Sequence, residues 1–266
     1  MTGRSLHDAL LRALTSADLR RRLGRPGDAG ATRALGADEA AVLRAADRAR
    51  LERLARFMAR HFYRERIVRL FAASRLLARR RGADPLGVLD TPAFAAVLES
   101  AELGSAATAE QVAELVEAAL QAPLAALSYG RDVVAYEGAL FRAEAGPRRW
   151  REDGPRGQTP VRSAHARICG LEWDVTGLVG AARRGETVPP DPPRMPTRLL
   201  VALGPSGRVT TVRCPPAVER LLGALNGARS VAEAAAAVGI GEPEAARVLR
   251  QLVEVGAVEW AGDHPT

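Results

Sequence analysis

The feature that most constrains this fold is a change of hydrophobic period within residues 198–260. Residues 198–203 (RLLVAL) and 208–213 (RVTTVR) have the aliphatic and β-branched content of strands, and the Gly204, Pro205, Ser206, Gly207 turn between them makes the pair a hairpin. From Pro215 onward the spacing turns helical. Pro215 and Pro216 open a helix that points Val218, Leu221, Leu222 and Leu225 inward and stops at Asn226 and Gly227. Ser230 and Glu233 form a capping box for a second helix ending at Gly239. Pro243 sits in the first turn of a third, whose apolar stripe is Val248, Leu249, Leu252 and Val253, and Gly256 closes it before a short strand at 257–260. The order β-β-α-α-α-β predicts an α+β module. A winged helix that reads DNA places its wing strands after the third helix, whereas here the hairpin precedes the first.

Upstream, the chain to residue 145 reads as helices joined by loops. Leu6, Leu10, Leu11 and Leu14 share a stripe, Ser16 caps a short helix over 17–23, and residues 25–36, with Pro26, Gly27 and Gly30, read as a loop. Asp38 then caps a stretch in which Leu43, Ala46, Leu51, Leu54, Met58, Phe62, Leu70, Leu76 and Leu77 recur every few residues until Gly82. About forty residues exceed the usual globular helix, so a break is expected near 61–65. Thr91 and Thr108 read as caps of two further helices. Residues 132–145 (DVVAYEGALFRAEA) place Val133, Tyr136, Leu140 and Phe141 on one face, and Gly146 and Pro147 stop that helix. The segment 148–196 holds a strand near 161–169, a short helix over 173–183 and a Pro-rich linker from 186 to 196 that should be extended. The organisation expected of 266 residues is therefore a helical bundle over 1–147, a connecting segment over 148–196 and the α+β module over 197–266.

The chain contains no Lys, so all 38 basic residues are Arg, and against 31 acids they leave a net charge of +7. Residues 197–266 hold seven Arg and seven acids, so the excess lies wholly in 1–196 and is densest between Arg44 and Arg81. A basic chain with a three-helix tail invites the alternative of a DNA-binding regulator. Non-specific DNA affinity comes largely from neutralised phosphates, so a tail of zero net charge argues against it, and no nucleic-acid partner is expected. The Arg-rich stretch reads as a solvated helix face open to an acidic partner. No apolar run approaches the roughly 20 residues of a membrane span, and the N-terminus lacks a signal-peptide core, so a cytoplasmic protein without membrane contact is expected.

Chemistry is harder to find. His7, His61, His165 and His264 are scattered without metal-ligand spacing, and the chain has no HExxH, CxxC, GxSxG or phosphate-binding Gly loop. Cys169 and Cys214 read as small buried hydrophobes, and Tyr136-Glu137 as a core aromatic beside a solvated acid. The expectation is a protein that is not an enzyme, with no catalytic residue, metal or cofactor of its own.

The stretches LLVALGPSGRVTTV (199–212), AVERLLGALNGARSVAEAAAAVG (217–239) and EAARVLRQLVEVGAVEW (244–260) resemble the peptide chaperone of pyrroloquinoline quinone biosynthesis. They are thereby similar to the recognition elements that capture precursors of ribosomally made, modified peptide natural products (RiPPs), with the turn LNG.RSV.E the most specific part. The family's usual first strand either comes from 161–169 or is lost. Upstream, DLRRRLG (18–24), DRARLERLARFMARHFYRERIVRLF (47–71) and DVVAYEGALFRAE (132–144) resemble the helical domain of proteins that partner multinuclear non-haem iron oxidative enzymes.

The resemblance implies a helical enzyme-docking domain followed by a small winged-helix-like RiPP recognition element. It implies a non-catalytic subunit that forms a heterodimer with the iron enzyme and binds the precursor's leader peptide as an added strand. The implied peptide-binding residues are Arg208, Val209, Thr210, Thr211, Val212 and Arg213 on the second hairpin strand, with Arg247, Arg250, Gln251 and Glu254 on the third helix. Strand addition suits a disordered ligand, because main-chain hydrogen bonds give affinity and side-chain pockets give specificity. Alternation places Val209, Thr211 and Arg213 on one side of the strand and Thr210 and Val212 on the other.

Overall fold

The computed structural model describes residues 3–145 and 159–261. Helices α1 (Gly3–Thr15), α2 (Ala17–Leu23), α3 (Ala29–Leu35), α4 (Ala37–Ala45), α5 (Arg48–Leu70) and α6 (Ala72–Arg79) lead through a 3-10 turn (Pro85–Asp90) into α7 (Pro92–Ser100), α8 (Ala106–Leu124) and α9 (Gly130–Ala145). There follow β1 (Thr159–Arg162), β2 (Arg167–Trp173), α10 (Val175–Arg183), β3 (Arg194–Leu203), β4 (Val209–Arg213), α11 (Pro216–Ala224), α12 (Val231–Val238), α13 (Glu242–Glu254) and β5 (Val258–Ala261). Helices and small antiparallel sheets together make the chain α+β.

Several local expectations need correction, some because a side chain intervened and others because strands pair with distant partners. The loop expected at 25–36 contains α3, started by the Asp28 carboxylate, which accepts from the Ala31 amide at 3.0 Å. The long Arg-rich helix breaks in two places and not near 61–65. Asp47 caps α5 by accepting from the Arg50 amide at 3.1 Å, and Phe71 leaves helical geometry at φ −92°, ψ 34°. Ser105 rather than Thr108 caps α8; the Thr108 hydroxyl, one turn in, accepts from the Glu102 amide. The strand expected at 161–169 is two strands, β1 and β2, and β3 begins four residues earlier than the hairpin pattern indicates. The stop at Gly146 and Pro147 lies outside the described residues. The capping box is present as expected, with Ser230 and Glu233 each bonding the other's backbone amide.

Glu137 is the largest departure, since an acid expected in solvent is 0% exposed. Its two carboxylate oxygens accept from the Ala73 and Ser74 amides at 3.0 and 2.8 Å, with the Arg183 guanidinium at 3.5 Å. These amides are donors that the first turn of α6 cannot satisfy internally, so α9 caps α6 across the bundle. Burial still pushes the Glu137 pKa up, against the pull of the two amides and Arg183.

Strands β2, β3 and β4 form one antiparallel sheet in that order, while β1 pairs with β5. Alternation along β3 divides its side chains between two cores. Leu199 and Val201 join Tyr63, Ile67, Phe94 and Phe141 of the helical bundle, whereas Leu200 and Ala202 join Leu221, Leu222, Leu249 and Val258. The sheet is thus covered on both faces, by α9 and α10 on one side and by α11–α13 on the other. The segment 159–183 is part of this body. Its α10 places Val175, Leu178, Val179 and Ala182 in the bundle core, and β2 runs beside β3 along its length. Asp132 of α9 locks the junction by accepting from the Glu172 amide at 2.5 Å and the Trp173 amide at 3.2 Å, at the bulge where the β2 register shifts. At the other end of β2, Glu110 bridges Arg142 and Arg167.

Candidate functional site

Strand β4 is an edge strand, and its hydrogen-bond parity follows from two flanking bonds. Gly204 donates to the Arg208 carbonyl and Cys214 to the Arg198 carbonyl, both at 2.9 Å. In an antiparallel ladder bonded pairs alternate, so within the register Ala202↔Thr210 and Leu200↔Val212 the even-numbered residues of β4 turn their amides toward β3. The odd ones, Val209, Thr211 and Arg213, therefore turn N–H and C=O outward. Among the described residues no group pairs with these outward amides. The opposite edge differs: β2 turns Ile168, Gly170 and Glu172 outward by the same parity, and Asp132 occupies the last of these.

Side chains along β4 alternate between the two layers. Val209 packs against the bundle core, and the Thr211 hydroxyl lies 3.2 Å from the hydroxyl of Tyr136 on α9. Val212 packs against the other core, on the side of α11–α13. Val209, Thr210, Thr211 and Val212 are half-buried, whereas Arg208, just before the strand, and Arg213, at its end, are exposed. The Asp174 carboxyl is held below the usual range by the Thr176 hydroxyl and the Gly177 amide, with Arg213 adding to the effect. Tyr136 was legible in the sequence only as a core aromatic. Its partner lies 75 residues away, and no local pattern announces such a contact.

The four α13 residues are all exposed but are not equivalent. With 3.6 residues per turn, Arg247 and Gln251 lie nearly opposite the buried Leu249, while Arg250 is on the flank. The end of α13 abuts the β3–β4 turn through the Glu254 backbone, but the Glu254 side chain, seven residues on from Arg247, shares the Arg247 face. A Cβ at Gly204 would touch the Glu254 carbonyl at 3.9 Å. Gly256, at φ +79°, lies so close to the Leu203 carbonyl that any Cβ would collide with it. Of the sequence-derived set, residues 208–213 thus gather along β4, Arg250 lies on the flank of α13, and Arg247, Gln251 and Glu254 lie on the far side of that helix.

Both cysteines are free. Burial pushes the Cys169 thiol up to about 11, and the Cys214 thiol, 2% exposed, is also raised by burial. Neither is a thiolate at neutral pH. Among the described residues no group of three or more His, Cys, Asp or Glu could hold a metal ion, and no helix is long and apolar enough to cross a membrane. Neither the known protein families nor the curated proteins contain a match to this chain.

Proposed function

We propose that this chain is a non-catalytic partner subunit in RiPP biosynthesis, binding the leader of a precursor peptide by strand addition at β4 and presenting it to an iron-dependent peptide-modifying enzyme. The observation that carries the reading is the outward row of unpaired amides at Val209, Thr211 and Arg213, on the edge of a sheet covered on both faces. The presence of β2 beside β3 supports the reading further, because it places a strand ahead of the hairpin, as the resemblance calls for, although α10 intervenes between β2 and β3.

The energetics say what the peptide must bring. Three outward residues offer up to six main-chain bonds, each worth a net ~0.5–1.5 kcal/mol. Ordering a flexible peptide costs ~1–2 kcal/mol per residue, so these bonds offset the entropy without supplying affinity. Affinity then comes from alternate side chains. One row of the added strand faces the α9 side, beside Thr211 and Tyr136, and the other faces the α13 side. The helical bundle is thereby part of the peptide site as well as the docking domain for the enzyme, which brings the iron and performs the oxidation. The leader is held on this chain while the segment to be modified reaches its partner.

The test is co-expression of this chain with a non-haem iron enzyme and a short precursor from the same locus, scored by mass spectrometry of the peptide. Modification should require all three components, and the isolated chain should hold no stoichiometric iron. Tightly bound iron in the isolated chain, or full modification in its absence, would overturn the proposal.

A further inference from the structure

Helix α5 carries an exposed stripe that the rest of the fold leaves unused. Ala55, Ala59, Tyr63, Ile67 and Leu70 are its buried side. By helical geometry Arg50, Arg53, Leu54, Phe57, His61 and Arg64 occupy about a third of the circumference, centred on Phe57. Phe57 is 68% exposed and Leu54 44%, and the His61 ring stacks on Phe57 with centroids 6.4 Å apart at 11°. Arg60, beside them, pairs with Asp90 at 2.5 Å, whereas Arg50, Arg53 and Arg64 make no ion pair among the described residues. Like charges three and four residues apart weaken a helix, so this arrangement carries a cost that folding does not recover.

We infer that this stripe docks an acid-rimmed surface of the partner enzyme, with Phe57 entering an apolar pocket and Arg50, Arg53 and Arg64 meeting carboxylates around it. The inference rests on the partner-subunit reading above. Its composition is that of an interface centre: an aromatic anchor ringed by Arg, on a pre-ordered helix. The chemistry of the occupant follows from the charge. A second copy would set the same arginines against one another. A duplex phosphate surface would neutralise the arginines but offer no place for Leu54 and Phe57. An acidic protein surface with an apolar centre satisfies both parts.

The experiment titrates the full chain with the purified iron enzyme by calorimetry at low and high salt. The variants are Phe57→Ala and the double reversal Arg53→Glu with Arg64→Glu. Phe57→Ala should weaken binding about tenfold or more, the range of interface anchors. The double reversal should weaken it comparably and flatten its salt dependence. All three positions are exposed, so circular dichroism and melting should match the parent. If the parent binds the enzyme and both variants bind equally well, the stripe is not the docking face, while the partner-subunit reading survives. If the parent itself does not bind, both fall. Duplex DNA is the second probe, and binding to it that either variant abolishes would assign the stripe to nucleic acid and overturn the inference.

Discussion

Replacing Thr210 or Thr211 by Pro should have different consequences, although the two are neighbours of the same type on one strand. The Thr210 amide points to β3, so Thr210→Pro deletes a ladder bond and orphans the carbonyl of Ala202, a residue only 1% exposed. The lost bond and the unsatisfied acceptor together cost ~2–4 kcal/mol of folding stability. The Thr211 amide points outward, so Thr211→Pro leaves the ladder intact and loses on the folding side only the hydroxyl contact with Tyr136, worth about 1 kcal/mol. On the binding side it removes the central donor of the edge, and the ring obstructs the strand that would add there. Losing the two main-chain bonds at that position costs ~1–3 kcal/mol, about a 5- to 150-fold weaker Kd. Fluorescence anisotropy with a labelled leader peptide reads the affinity, and urea unfolding followed by circular dichroism reads the stability. Thr211→Ala keeps the amide and should bind nearly as the parent does. If folded Thr211→Pro binds the leader as tightly as the parent, the edge-strand reasoning is wrong.

Three further outcomes follow from the same structure. Glu137→Ala, which leaves the buried Ala73 and Ser74 amides without acceptors, should destabilise the fold by ~2–5 kcal/mol in urea titration, and a loss under about 1 kcal/mol would show that the cap contributes little. The Cys169 thiol, raised by burial from near 9 to about 11, should resist iodoacetamide in the native protein at pH 8. Because its pKa is higher in the folded than in the unfolded chain, its contribution to stability is present below about pH 9 and lost as pH rises toward 11, a decline that Cys169→Ala should lack. Finally, a fragment of residues 197–266 should be largely unfolded by circular dichroism, since it lacks β1 and β2 and bares the Leu199 and Val201 face of β3; a cooperative melt would refute this.

Local chemistry was legible wherever one short segment decides its own conformation. The capping box at Ser230, the Thr91 cap of α7, the Pro-led start of α11, and the turn at 204–207 depend on residues within four positions of each other, and all stand where the sequence places them. Element limits failed where a distant group competes with local propensity. Nothing near Phe71 announces that a carboxylate from α9 will take the next amides and end α5 there. The split of 161–169 into β1 and β2 is likewise set by their partners, β5 and β3.

The same division holds for the candidate site. The sequence by itself determined that a β-branched hairpin precedes three helices, that the three-helix tail is electrically balanced, and that the arginines concentrate between Arg44 and Arg81; each follows from residue type and spacing. The tertiary structure decided which amides of β4 face outward, that Tyr136 reaches Thr211, and that the sheet is shared between two cores. Parity is a property of pairing, and pairing joins residues whose separation along the chain carries no periodic signal. A strand's alternation tells which side chains share a face, but only its neighbour tells which backbone edge is left open.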